Sequence, residues 1–527
     1  MRRVCFVLLL SVVGVLSGHV SVHALSSDGK SFISADNTFY AYVKAGETLS
    51  ADFVRVNQNE PFDTVRGDDT ITIDAPGLSE QKCVAAANIP IGQGCHFAAV
   101  TAPKSGIWQI QFSVPTAAKV YAEVSPTERW AKNLFSWDIM VENVGVEQHG
   151  RIWTEQYALR QPPDLAYLDD FTDYYISEDG YIYRAIEHGY NGQISMLSAD
   201  AVGVRTGSSC VSAYQSTDVS NAKFSPALGE CGNAYKLFFE QPAGDLPTGA
   251  TRPDGTSDWI LPNVKHPSIS QLHFTSDNSQ DQQSGTISFF LHNFVGQYQV
   301  KIDVENDGDF DGQSDVLLNE QMKKLSNGLQ EIHFQGVDKQ GQIIPRDQTI
   351  GIEVDITRVA EIHLIAADVE GRTGGLELTR ENGDNAPTTR DCWNDTELAP
   401  LSDATLMTPN LDGRDCPVST GGVHGWAYND FSWGNERYID DWVYASAKLE
   451  GPNKIIYPDA ARTQKHSSEN WALIIFIAVC LVLLLGGGVT VALRNKKGKN
   501  KPPTGPAQPQ GPVYPGVPHD DPPTPEN

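Results

Sequence analysis

Residues 299–315 read QVKIDVENDGDFDGQSD, and the rest of the chain is read outward from them. Val300, Ile302 and Val304 alternate with polar neighbours, the period of a β-strand with one buried face. The run then passes into carboxylates: Asp303, Glu305, Asp307, Asp309, Asp311 and Asp315. In the pattern D-x-E-x-D-G-x-x-D, oxygen ligands fall on every second residue and a glycine stands sixth. An EF-hand-type loop turns around a calcium ion with this arrangement. Acids this close repel one another, and a divalent cation relieves the repulsion. These side chains are therefore expected to hold a structural Ca2+. Position twelve carries Ser314 instead of the usual Glu, with Asp315 one place later. A second frame starts at Asp307 and places Gly312 sixth. The plain alternative is a solvated acidic turn at a strand end.

Strand patterns continue on both sides. Residues 286–291, 350–356 and 361–367 alternate or run apolar at strand length, as do 70–73 and 107–114 earlier in the chain. Phe135, Trp137, Ile139 and Val141 alternate, and Tyr174-Tyr175-Ile176 and Tyr181-Ile182-Tyr183 flank Ser-Glu-Asp-Gly as a hairpin. Tyrosines in such strands either face solvent as a binding surface or sit half-buried in a sheet. The expected fold class is mainly β, as tandem immunoglobulin-like β-sandwich domains with a C-terminal transmembrane helix.

Residues 1–24 have the charge and apolar pattern of a signal peptide: Arg2 and Arg3, an apolar run, then Val22-His23-Ala24. Residues 471–493 carry no charge, enough to span a bilayer, with Trp471 at the outer edge. Arg494, Lys496, Lys497, Lys499 and Lys501 follow and place the C-terminus inside. The expected protein is a single-pass cell-membrane protein with its large N-terminal part extracellular. Between these segments we expect β-domains at 25–125, 126–262 (aromatic-rich) and 263–385 (with the acidic loop). A disulfide-closed, Trp-rich cap at 386–460 and a linker at 461–470 follow. The basic, Pro-rich tail 494–527 cannot bury a core.

The formal net charge is −27, and both the leader and the tail are net positive, so the exported part is more negative still. Such a surface repels nucleic acid, which is excluded as a partner, and attracts cations. Outside Cys5 and Cys480 there are Cys83, Cys95, Cys210, Cys231, Cys392 and Cys416. Pairing each with its neighbour closes one short loop per unit, although sequence permits other connectivities.

Two stretches carry a resemblance. The acidic loop followed by Phe334 to Pro345 is similar to a module of bacterial exported proteins, with Asp338, Gly341 and Pro345 matching. Phe334 and Gln335 stand where that module has Trp and Asp. The run GGVHGWAYNDFSWGNERYIDDW resembles the membrane-proximal segment of actinobacterial-type surface proteins. The resemblance implies a setting, not an activity. His424, Asp440 and Asp441 within it suggest catalysis or metal binding. No nucleophile motif, H-E-x-x-H or paired histidine accompanies them, so no catalytic residues are assigned. Trp426, Trp433 and Trp442 are expected to pack the cap. The function expected is adhesion or envelope contact by a calcium-stabilised bacterial surface protein, with an extracellular protein or glycan as ligand. The alternative is a membrane-anchored, glycan-active hydrolase.

Overall fold

The computed structural model describes residues 32–58, 67–114, 130–160, 170–191, 194–277, 281–294, 297–321, 328–367, 369–398, 424–426, 434–445 and 449–458. These residues build antiparallel β-sheets with almost no helix. The leader, the apolar segment 471–493, the tail, Cys416 and Trp433 lie outside the described residues. Among the described residues no helix is long and apolar enough to cross a membrane.

Strand Asn37–Val43 pairs with Gly106–Ser113, which pairs in turn with Asp69–Asp74 and through it with Gln81–Ala85. A second sheet joins Thr48–Gln58 to Gly94–Thr101 and Trp130–Asn143. Alternation aims one face of each sheet at the other, and the aromatics meet between them. Phe39 lies 4.8 Å from Trp137, and Phe112 lies 5.4 Å from Phe135, ring centre to ring centre. Cys83–Cys95 links an edge strand of the first sheet to one of the second, with Cα atoms 5.8 Å apart.

The first sheet does not stop there. Asn37–Val43 also pairs with Ile152–Thr154, and pairing continues through Lys236–Phe238, Phe171–Ile176, Ile182–Asn191 and Gly371–Arg380. The result is a 10-stranded sheet whose strands come from all three expected β-domains. The expected hairpin is present, with Ile176 opposite Ile182 and Gly180 at a φ of 89° in its turn. Of its tyrosines, Tyr175, Tyr181 and Tyr183 are buried and Tyr174 is half-buried.

Strand Ile350–Ala367 is the second continuous element. Its first half pairs with Gln297–Asp303 and Lys454–Tyr457, its second with Ile194–Asp200 and Arg437–Ala445. Two separate strands are expected here from the sequence; the structure has one, with Ala360 at a φ of 52° and the register shifting between Val359 and Ile362. A bulge bends a strand without ending it, so one strand serves two sheets. A three-stranded sheet of Ser268–Ser276, Gly285–His292 and Gly328–Phe334 covers the first half, with Phe289 5.5 Å from Tyr298.

The expected boundaries therefore do not follow the sheets. Trp130–Asn143, expected in the second unit, pairs with Thr48–Gln58 in the first. Arg437–Ala445, expected in a separate cap, is an inner strand, and Trp426 and Trp442 are buried in the body of the fold. Apolar alternation states that a strand has a buried face; it does not state which neighbour covers it. One buried apolar cluster runs from Ile33 to Leu449.

Candidate metal site and buried charge networks

The acidic loop joins Gln297–Asp303 to Val316–Gln321, and Ile302 faces Val316 across the hairpin. That register brings Asp303 and Asp315 together at its mouth, both buried. Asp303 Oδ2 accepts from the Gly308 amide at 2.8 Å. Asp315 Oδ1 and Oδ2 accept from the Val304 and Gly312 amides at 2.9 and 2.7 Å. Gly308, sixth in the first frame, has a φ of 89°, as a tight turn there requires. A Cβ on Gly312 would lie 2.9 Å from Asp315 Oδ2, so glycine is needed there for close approach.

Of the six expected ligands, Asp303, Glu305 and Asp315 each bring an oxygen within 4.8 Å of the others'. Asp307, Asp309 and Asp311 are exposed and lie outside this trio. Asp307 and Asp309 instead accept from the amides two residues on, at 2.9 and 3.1 Å. The Glu305 carboxyl is raised above its ordinary value, first by desolvation and then by its bond to Asp315. Each carboxylate oxygen has two lone pairs, so the amide donors leave acceptor capacity for a hard cation. The donor set is of the kind a hard cation takes, oxygens only and clustered, with fewer donors than the six to eight of a calcium site.

A second group of acids lies inside. Asp440 and Asp441 are neighbours on Arg437–Ala445 and point to opposite faces of the sheet. Each meets a fully buried histidine. On the inner face, His424 bonds Asp441 through Nδ1, and its Nε2 lies 2.9 Å from Asp395. Arg372, from the 10-stranded sheet, reaches Asp441 at 2.8 Å and Glu187 at 3.3 Å, and its Nε donates to the His424 carbonyl at 2.9 Å. The network thus ties the two sheets together. Trp393 stacks on the His424 ring at 4.7 Å. Burial works against a charged His424, but Asp441 and Asp395 outweigh it and raise its pKa to about 10. Beside Glu187, Asp173 is pushed up to about 8, by burial first and then by Glu187.

Asp391, His424 and Asp441 also lie close enough to hold a metal. The chemistry disfavours it. Both His424 nitrogens have carboxylate partners, and the Arg372 guanidinium already stands where a cation would neutralise Asp441.

On the outer face, His363 Nδ1 lies 2.9 Å from Asp440 and its Nε2 3.4 Å from Glu361. The Tyr214 hydroxyl donates to Glu361 at 2.6 Å, and Arg358 lies 3.7 Å away. Asp440 also accepts from the Val204 amide at 2.9 Å. Burial opposes a charged His363, yet Asp440 and Glu361 raise it to about 10.

Sequence reading singled out His424, Asp440 and Asp441 but missed His363, Glu361, Arg372, Asp395 and Glu187. One signal was present: after Arg437, Asp440 and Asp441 interrupt a run of apolar and aromatic residues on both faces of the strand, and acids there need buried partners. Cys210 and Cys231 are joined, with Cα atoms 5.3 Å apart. Cys392 is disulfide-bonded; its expected partner Cys416 lies outside the described residues. No protein-family model and no curated protein matches this chain.

Proposed function

We propose that this chain is a surface protein that makes adhesive or envelope contacts, stiffened by Ca2+ at the 303–315 loop and held by one C-terminal membrane span. The reading includes an immunoglobulin-like arrangement for the N-terminal pair of sheets, an exported N-terminal part and a cytoplasmic tail. The observation that carries it is the meeting of Asp303, Glu305 and Asp315 at the hairpin mouth. Calcium there would clamp the hairpin that pairs with the long strand Ile350–Ala367. Strand rigidity suits a protein that bears load between a membrane and an outside partner. The fully buried, carboxylate-paired histidines favour a bracing role for the interior charges.

Two measurements on the full-length chain in detergent test this. Calcium should raise the melting temperature above that in EDTA, and the protein should bind at least one member of a panel of glycans and matrix proteins without turning it over. No calcium shift, or hydrolysis of a glycan, defeats the reading.

A further inference from the structure

Beside the hairpin that carries Trp259 lies a crevice of about 600 Å3 lined by Glu178, Trp259, Asn263, His266, Asn293 and Glu450, among others. Its size is within the roughly 300–1,000 Å3 of small-molecule sites, and it lies where separate sheets meet, a frequent place for them. The walls are pinned. Asn233 holds the Glu178 carboxylate at 2.7 Å, and the Lys265 amide bonds the Asp179 carbonyl at 3.0 Å. On the far side the Glu450 carbonyl accepts from the Ile269 amide at 2.8 Å. Asn293 has a φ of 53°, a left-handed state that asparagine adopts more readily than most residues.

Trp259 is half-buried. The Lys236 ammonium lies 4.2 Å from its ring and, with Asp258 2.7 Å from that ammonium, holds the indole in place. Trp259 is part of the crevice lining.

We infer that this crevice binds a neutral hexopyranose. An indole suits the apolar C–H face of a sugar ring. The amide of Asn263, the His266 ring and the carboxylates of Glu178 and Glu450 suit hydroxyls that donate and accept. Lys265 lines the crevice together with the two carboxylates, and it is the net charge of −27 on the chain that discriminates against acidic sugars. The inference rests on the surface-contact reading and names a ligand class for it.

The test uses the full-length chain and saturation-transfer NMR with galactose, glucose, N-acetylglucosamine and N-acetylgalactosamine, with sialic and glucuronic acids alongside. The expected result is transfer to at least one neutral sugar, strongest at the protons of one ring face, none to the acids, and the same result in EDTA. Trp259→Ala should abolish it. Because that change also removes a partner of Lys236, Asn263→Ala and His266→Ala are measured too. Each should weaken transfer at an unchanged melting temperature. Transfer that survives in all three variants, or no transfer to any neutral sugar, overturns the inference. If the protein binds a matrix protein but no sugar, the crevice inference fails while the surface-contact reading stands. Binding to nothing on either panel sinks both.

Discussion

Replacing Arg372 with Met keeps most of the side-chain volume and removes the guanidinium that bridges Glu187 and Asp441. At 2.8 Å the Arg372–Asp441 attraction alone amounts to about 6 kcal/mol for an effective dielectric of about 20. Part of this returns because the guanidinium no longer has to be desolvated, but the two buried carboxylates lose their counter-charge. Breaking a buried pair from one side costs about 3–5 kcal/mol. Unfolding entropy is about 2.1 cal/mol/K per residue, so a unit spanning most of this chain shifts by about 1 °C per kcal/mol. The variant should melt about 3–5 °C below the parent.

The pH dependence gives a sharper readout. Burial raises both carboxyls and Arg372 opposes it, leaving Glu187 above its ordinary value and, with help from His424, Asp441 below; without Arg372 both folded-state pKa values rise. The folded state then binds more protons at intermediate pH, and stability falls as pH rises. The deficit should therefore be larger at pH 8 than at pH 5. Differential scanning fluorimetry at both values measures it. A variant that melts with the parent, or whose deficit is the same at both pH values, refutes the account of this network as an ion cluster that joins two sheets.

Three other outcomes follow from the same geometry. Glu305→Gln and Asp315→Asn should remove the calcium-induced rise in melting temperature, whereas Asp311→Asn, outside the trio, should leave it; equal loss in all three would show that the whole loop acts together. His363 has a folded pKa of about 10 against an ordinary 6.5, so its contribution is complete below about pH 6.5 and is lost as pH rises through 10. The melting temperature should accordingly fall across that window by less in His363→Gln than in the parent, and equal slopes would discard the His363–Asp440 ion pair. Replacing Cys83 and Cys95 with Ala should lower stability by about 2–4 kcal/mol in urea titrations, since their bridge connects two sheets; no change would mean the sheets need no tie there.

Much of the local structure was legible. The turn at Ser177–Gly180 and the alternation in 350–356 depend on neighbours in the chain, and the strands formed where period and turn residues placed them. The acidic loop was legible as a loop between strands. Which of its acids cluster was not: spacing treats every second acid alike, while the register of the hairpin buries Asp303 and Asp315 and leaves Asp307, Asp309 and Asp311 in solvent. The two local cysteine pairs, Cys83–Cys95 and Cys210–Cys231, were also legible from proximity in the chain.

By itself, then, the sequence determined an acidic, mainly β chain, with its strand positions, its turns and its nearest-neighbour disulfides. Those properties follow from period, backbone freedom and short loop closure, which act over a few residues. Tertiary structure alone decided that Trp130–Asn143 joins the first pair of sheets, that one bulged strand serves two sheets, and that Asp440 and Asp441 serve different histidines. A strand with apolar faces accepts many neighbours, and partners far apart in the chain are chosen by shape and by the need to neutralise buried charge, which no local pattern records.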